Sequence, residues 1–223
     1  MPQLPGEDIV TSPAANAGVN VVPLLREILE TLVFAVLVFL VIQTVWRNFR
    51  VEGMSMEPNI HDGQYLVVDH LVYNTGFPIN LLRGTIGRSA RGSKFLDGFF
   101  YPPQRGDVIV FVPPMSPSRD FIKRVIGLPG DKVDVRVGKV YINGQPLAEP
   151  YIQPGSTSSW GPAIVGQGEL FVMGDNRGNS SDSRSFGMLQ QNKVVGRAWL
   201  SYWPPRRWGF VKHYDLGAQL STR

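Results

Sequence analysis

Asp120-Phe121-Ile122-Lys123-Arg124-Val125-Ile126 reads as a β-strand, and that reading sets the class of the whole domain. Successive side chains of an extended chain point to opposite faces. Phe121, Lys123 and Val125 therefore share one face, and Ile122, Arg124 and Ile126 share the other. Working outward, short Val/Ile-rich runs bounded by turn residues recur at 64–69, 107–112, 132–137, 140–142, 169–173 and 193–202. Gly138-Lys139 reads as a tight turn between two of them, and Asn143-Gly144 as another just beyond. The 24 Gly and 18 Pro among 223 residues suit the same picture, an all-β domain with long connections and no internal repeat.

Before the first of these runs lies a segment of another kind. Thr31 to Trp46 carries no charged residue, and Leu32 to Ile42 is continuously apolar. A helix over 24–46 would be roughly 34 Å long, against a hydrocarbon core of about 30 Å, so one transmembrane anchor is expected. No Lys or Arg precedes Arg26 and no small-x-small site follows Ile42, which argues against a cleaved leader. Arg26, Glu27 and Glu30 fall at one interface of such an anchor, and Trp46, Arg47 and Arg50 at the other. Counting basic residues on the two flanks leans towards a cytoplasmic domain, although long domains translocate despite such counts. The expected organisation is a flexible tail (1–23), the anchor (24–46), a domain (47–205) with an excursion at 73–104, and a C-terminal tail (206–223).

Composition excludes several chemistries. Without cysteine there is no disulfide framework, thiol nucleophile or Cys-based zinc site. His-Glu-x-x-His does not occur, and no metal or organic cofactor is expected. A formal charge of +4 without a Lys/Arg block suits anionic lipid headgroups better than a nucleic-acid groove, so nucleic acid is not expected as a partner.

The chemistry concentrates in three places. Gly53-Met54-Ser55-Met56-Glu57-Pro58 offers a serine just after the anchor. A serine hydroxyl needs a base, and Lys123 is suited to the task, because an amine flanked by Phe121 and Val125 is set to lose its water. Desolvation lowers a lysine pKa from roughly 10.4 towards a range where free base is available. A triad through His61 or His70 stays open at this point. The third place, residues 174–184 (Gly-Asp-Asn-Arg-Gly-Asn-Ser-Ser-Asp-Ser-Arg), is a polar loop of residues that bond their own backbone, and it suits holding a lysine in place.

Together these segments resemble the type I signal peptidases, membrane-bound enzymes that cut signal peptides from exported preproteins. The resemblance rests on 53–58, Arg105-Gly106-Asp107-Val108-Ile109-Val110-Phe111, Asp120 to Asp131, the 174–184 loop and Gly196-Arg197-Ala198-Trp199, all in family order. It implies Ser55 as nucleophile and Lys123 as general base, with Ser180 hydrogen-bonded to the lysine. It implies Asp182 and Arg184 as a supporting ion pair, and Asp175 and Arg177 as structural positions. Val51, Met54, Met56, Phe121 and Ile122 match segments that line pockets for the substrate's small side chains. Phe99, Phe100, Tyr101, Trp199, Trp203 and Trp208 are candidates for an apolar surface that meets the lipid bilayer.

Two positions depart from the pattern. Gly53 stands where some members have a serine that helps bind the oxyanion, which leaves the Ser55 N–H and another backbone donor. Asn59 stands where threonine is common. The implied partners are preproteins bearing signal peptides and the bilayer itself. The implied setting is a bacterial-type cell membrane, single-pass, with the catalytic domain on the extracytoplasmic side. A non-catalytic membrane-tethered β-domain that binds signal peptides is the alternative, and turnover separates the two.

Overall fold

The computed structural model describes residues 21–70, 72–73, 101–115, 118–153 and 155–217, with backbone only at 21 and 41–46. The expectations for 1–20, for most of the 73–104 excursion including Phe99 and Phe100, and for 218–223 lie outside the described residues. The chain divides into two compact units, residues 1–41 and 42–223.

The long helix α1 spans Val21–Val45 and supplies the described part of the first unit up to Val41. Pro23 lies in its first turn, where a missing N–H costs no intrahelical bond. Glu30 accepts from Arg26 one turn earlier at 2.7 Å, and Thr31 Oγ1 donates back to the Glu27 carbonyl at 2.8 Å. Among the described residues no helix is long and apolar enough to cross a membrane. The described side chains of α1 include Arg26, Glu27 and Glu30 in its first half.

The second unit is built of strands. In chain order they are β1 (Trp46–Arg50), β2 (Tyr65–Asp69), β3 (Val108–Phe111), β4 (Phe121–Gly127), β5 (Lys132–Arg136) and β6 (Lys139–Ile142). There follow β7 (Gln145–Pro146), β8 (Trp160–Ile164), β9 (Glu169–Met173), the one-turn helix α2 (Ser183–Phe186), β10 (Leu189–Gln190), β11 (Val194–Trp203) and β12 (Gly209–Phe210). One sheet runs β1-β2-β11-β3-β4-β9-β10, with β12 beside β11, and the other runs β7-β6-β5-β8. All of the pairings are antiparallel.

Every run read as a strand is one. The short strands β7, β8, β10 and β12 were not legible, because each is defined by its partner rather than by its own apolar pattern. Trp46–Arg50, expected at the end of an anchor, forms β1 in register with β2 from Trp46↔Asp69 to Arg50↔Tyr65. The C-terminal segment is not a loose tail over 206–217. Leu216 is fully buried in a core cluster with Ile126, Val133, Val140 and Phe171.

The strand β4 is central. It is buried from Ile122 to Gly127, so both of its faces are covered. Phe121 and Val125 join Ile109, Phe111, Leu170 and Val172 on one side, whereas Ile122 joins Val51, Met56, Leu66 and Val110 on the other. Register places Lys123 opposite Ile109 and Arg124 opposite Val108 on β3.

The turn between β5 and β6 is shifted one residue from the expected Gly138-Lys139. It is made by Val137 (φ 47°) and Gly138 (φ 76°), because a two-residue hairpin loop of this kind needs two positive φ angles in succession. Gly138 is obligatory, since a Cβ there would collide with the Ser156 carbonyl. Val137 is the strained member, a β-branched residue in the left-handed region with its side chain largely exposed. Replacing it by Asn, which tolerates that region, should raise unfolding free energy by about 1 kcal/mol. Urea titration of the two proteins checks this, and a loss of stability would contradict it.

Candidate active site

The turn that carries Ser55 is fastened at both ends. Val51 N–H donates to Gln64 O at 2.8 Å and Gly63 N–H to Val51 O at 2.9 Å. Gly53, at φ 87°, donates its N–H to Asp62 Oδ1 at 2.8 Å. Met56 anchors the middle. Its side chain is fully buried among Val51, Ile60 and Val108, and its carbonyl accepts from Asn59 and Ile60. The neighbouring Ser55 is left half-buried, with its hydroxyl turned to β4.

Lys123 Nζ donates to Ser55 Oγ at 2.7 Å and to the Ile122 carbonyl at 2.8 Å. The lysine is only 4% exposed, and its Nζ lies 5.2 Å from the centre of the Phe121 ring. Burial lowers its pKa to about 8, against the opposing pull of the Asp182 and Asp175 carboxylates. Each of those carboxylates has its own guanidinium. Asp175 is gripped by Arg124 through Nε (2.8 Å) and Nη2 (2.7 Å). Asp182 is gripped by Arg184 through Nε (2.8 Å) and Nη2 (2.7 Å). Neither carboxylate is an unmatched counter-ion for the lysine, so desolvation prevails.

The 174–184 loop supplies these carboxylates and also seats the serine. Asp182 caps α2 through the Arg184 N–H and accepts from Gly174 N–H at 3.1 Å. Burial alone would raise its pKa, but bonds from Arg184 and Gly174 hold it below the usual carboxylate value. Asn176 N–H donates to the Ser55 carbonyl at 3.0 Å, and its Nδ2 donates to the Met54 carbonyl at 3.1 Å. Gly174 must be glycine, because a Cβ there would collide with both Ser180 Oγ and the Ser55 carbonyl oxygen. Arg177 is buried in a pair with Glu149, and its Nε donates to Gly174 O at 3.1 Å.

The structure therefore brings Ser55 and Lys123 together and pairs Asp182 with Arg184. It does not show the hydrogen bond from Ser180 to the lysine. Ser180 Oγ is buried without a well-formed partner and contributes instead to holding the Asp182 pKa down. Neither His61 nor His70 is bonded to Ser55. His61 lies 3.4 Å from Glu57, and His70 faces the Val195 carbonyl. Of the pocket candidates, Met54 is half exposed and Phe121 half-buried, whereas Val51, Met56 and Ile122 lie within one core cluster. Trp199, Trp203 and Trp208 are exposed, with the Phe210 ring tilted against Trp199 at 5.5 Å between centres, and Tyr101 is half-buried against Tyr73. Among the described residues no three His, Asp or Glu side chains converge on a metal-sized site.

Sequence reasoning missed Arg124, Asn59 and Glu149. Arg124 is fully buried. It also donates to the Gly106 and Lys212 carbonyls, and it stacks between Tyr151 (4.3 Å) and Tyr214 (5.1 Å). Asn59 Nδ2 bridges the Tyr151 carbonyl (2.7 Å) and Asp175 Oδ2 (2.9 Å), tying the serine turn to the loop. The available signal was the face opposite Lys123, where a charged side chain on a doubly buried strand demands a carboxylate partner.

A family model described as "Signal peptidase, peptidase S26" matches residues 25–203. A "Signal peptidase I" of Leptolyngbya laminosa is 36% identical over 92% of this chain and 90% of its own length. A "Probable signal peptidase I-1" of Synechocystis is 38% identical over 70% of each chain. A "Signal peptidase I" of Bacillus caldolyticus is 32% identical over 74% of this chain and 84% of its own.

The depressed lysine has a thermodynamic signature. The unfolded chain holds this proton up to roughly pH 10.4, and the folded chain gives it up near 8. Between those values the unfolded state binds more protons, so the contribution of Lys123 to stability rises with pH. Lys123→Met should therefore be more stable than wild type by about 1–3 kcal/mol at pH 7, with the gap closing towards pH 10. Denaturant titrations at both pH values check this, and a pH-independent gap would contradict it. Gly174→Ala should lower reactivity at Ser55 about a hundredfold or more, by displacing the serine from the lysine. A covalent serine-directed probe reads this out, and equal labelling rates would contradict it.

Proposed function

The chain belongs to the type I signal peptidase family, and on that premise we propose that it removes N-terminal signal peptides through a Ser55–Lys123 dyad and an acyl-enzyme. The observation that carries the mechanism is the 2.7 Å contact between Lys123 Nζ and Ser55 Oγ, made by a buried amine whose pKa is lowered to about 8. Lys123 in its neutral form takes the hydroxyl proton as Ser55 Oγ attacks the scissile carbonyl. The ammonium so formed keeps its bond to the Ile122 carbonyl and gives the proton to the leaving amine. Water then attacks the ester carbonyl and loses a proton to the same lysine, which passes it to Ser55 Oγ as the ester bond breaks and the signal peptide leaves as a carboxylic acid.

Negative charge developing on the carbonyl oxygen needs donors. The Ser55 N–H has no acceptor among the described residues and is the first of them. Gly53 brings no hydroxyl, and its own N–H is occupied by Asp62, so a second donor has to come from elsewhere on the backbone. Asp182 and Arg184 hold the loop behind the lysine, and Ser180 lies buried against Gly174 without a bond to the lysine. Met54 and Phe121 offer the accessible apolar surface for the substrate's small side chains, over a floor of Val51, Met56 and Ile122.

The support for a single membrane anchor is the uncharged run of the sequence from Thr31 to Trp46, and exposed Trp203, Trp208 and Phe210 support contact of this edge of the domain with lipid. The catalytic domain then works on the extracytoplasmic side of a bacterial-type cell membrane, where signal peptides emerge.

Detergent-solubilised wild type should cut a preprotein after the second Ala of an Ala-x-Ala site, as read by sequencing the new N-terminus. Ser55→Ala and Lys123→Met should fold and lose at least about 10⁴-fold in rate. The wild-type kcat/KM should rise with pH through about 8 and level off above it, because the base is then unprotonated. Signal-peptide binding without turnover by the folded wild type would overturn the catalytic reading in favour of a binding domain.

A further inference from the structure

A cleft of about 360 Å³ adjoins the serine turn. Glu57 and His61 form one part of its wall, Gln153 and Ser156 another, and Asn176 with Gly178 a third. Phe121, Ile122 and Lys123 do not line it, so it is separate from the surface that β4 offers. Asn176 joins it to the site, since the same residue holds the Ser55 and Met54 carbonyls. Its volume lies within the range of ligand-holding clefts, about 300–1,000 Å³.

The charge of this cleft has one sign. Asp175 and Arg177 both border it, but Asp175 is matched by Arg124 and Arg177 by Glu149. Glu57 has no lysine or arginine partner among the described residues. The group facing it is the His61 imidazole, whose Nδ1 lies 3.4 Å away, and both side chains are about one-third exposed (35% and 28%). The remaining walls are neutral hydrogen-bonding groups, the amides of Gln153 and Asn176 and the hydroxyl of Ser156.

We propose that this cleft receives the polypeptide on the leaving-group side of the scissile bond, and that Glu57 makes it favour basic over acidic side chains there. The inference rests on the peptidase reading above. In that reading the chain before the scissile bond lies along 51–56 and 121–122. Acyl transfer at Ser55 parts the chain at this turn, and the new amino-terminal segment needs a path of its own. The cleft opens at Glu57, two residues beyond the nucleophile, and its polar walls suit a hydrated extended peptide rather than the apolar signal helix. A partly open carboxylate attracts a nearby ammonium or guanidinium modestly and repels a carboxylate by a similar amount.

The test uses three preproteins that differ only at the second to fourth residues after the cleavage site, carrying Lys, Ser or Asp there. Each is given to full-length wild type, Glu57→Gln and Glu57→Lys in detergent, with folding checked by circular dichroism. Wild type should show a kcat/KM about fivefold higher for the Lys than for the Asp preprotein. That ratio should fall to about one in Glu57→Gln and invert in Glu57→Lys. A ratio unchanged across the three enzymes overturns the proposal, as does an equal rate for all three substrates in wild type.

Binding of the same preproteins to Ser55→Ala, read by fluorescence anisotropy, separates the two levels of the argument. Cutting without a charge ranking keeps the peptidase reading and removes the cleft. A Glu57-dependent ranking in binding, with no cutting by wild type, keeps the cleft as a peptide site and removes the peptidase reading.

Discussion

Burying one amine against one hydroxyl is the constraint around which this domain is arranged. Lys123 Nζ has lost nearly all its water and keeps two hydrogen bonds, to Ser55 Oγ and the Ile122 carbonyl. A buried ammonium beside a free carboxylate would be held charged and would be useless as a base near neutral pH. The fold avoids this by matching each nearby carboxylate to an arginine before the lysine can claim it. Arg124 takes Asp175, and Arg184 takes Asp182. What remains is mainly desolvation, and the pKa settles at about 8.

The adjacent residues Lys123 and Arg124 show how one strand serves both purposes. They leave β4 on opposite faces, one reaching the serine and the other penetrating the domain. Arg124 ties together the strand, the 174–176 loop through Asp175, and the C-terminal segment through the Lys212 carbonyl and the Tyr214 ring. Such a buried ion is costly to desolvate and is tolerated because its donors and its flat faces are satisfied. It is weak as a source of net stability and strong as a determinant of geometry. Asn59 adds a neutral link from the serine turn to the same carboxylate.

Much of this was legible in the sequence, for reasons that differ from residue to residue. The strand around Lys123 was readable because a short run of aromatic and β-branched residues ends at the Gly127-Leu128-Pro129-Gly130 turn signal, and the 174–184 loop was readable because its side chains bond within a few residues of themselves. The Arg124–Asp175 pair, 51 residues apart, and the Asn59–Asp175 bond, 116 apart, have no local signature and needed the fold. The same holds for β7, β8, β10 and β12, strands of two to five residues that exist because a neighbour pairs with them. The packing of 206–217 was not legible because its core contacts come from scattered residues, Val211, Tyr214 and Leu216, with no strand or helix period to announce them. The bond expected from Ser180 to the lysine is absent because the Lys123 amine turns to Ser55 and the Ile122 carbonyl, leaving Ser180 against Gly174.

The most direct measurement is an NMR titration of the Lys123 side-chain nitrogen in protein carrying ¹⁵N-labelled lysine, with Lys123→Met assigning the signal. The account predicts a midpoint at about 8, shifted when Ser55 is replaced by Ala. A midpoint near the ordinary lysine value of roughly 10.4, unmoved by that replacement, would contradict it.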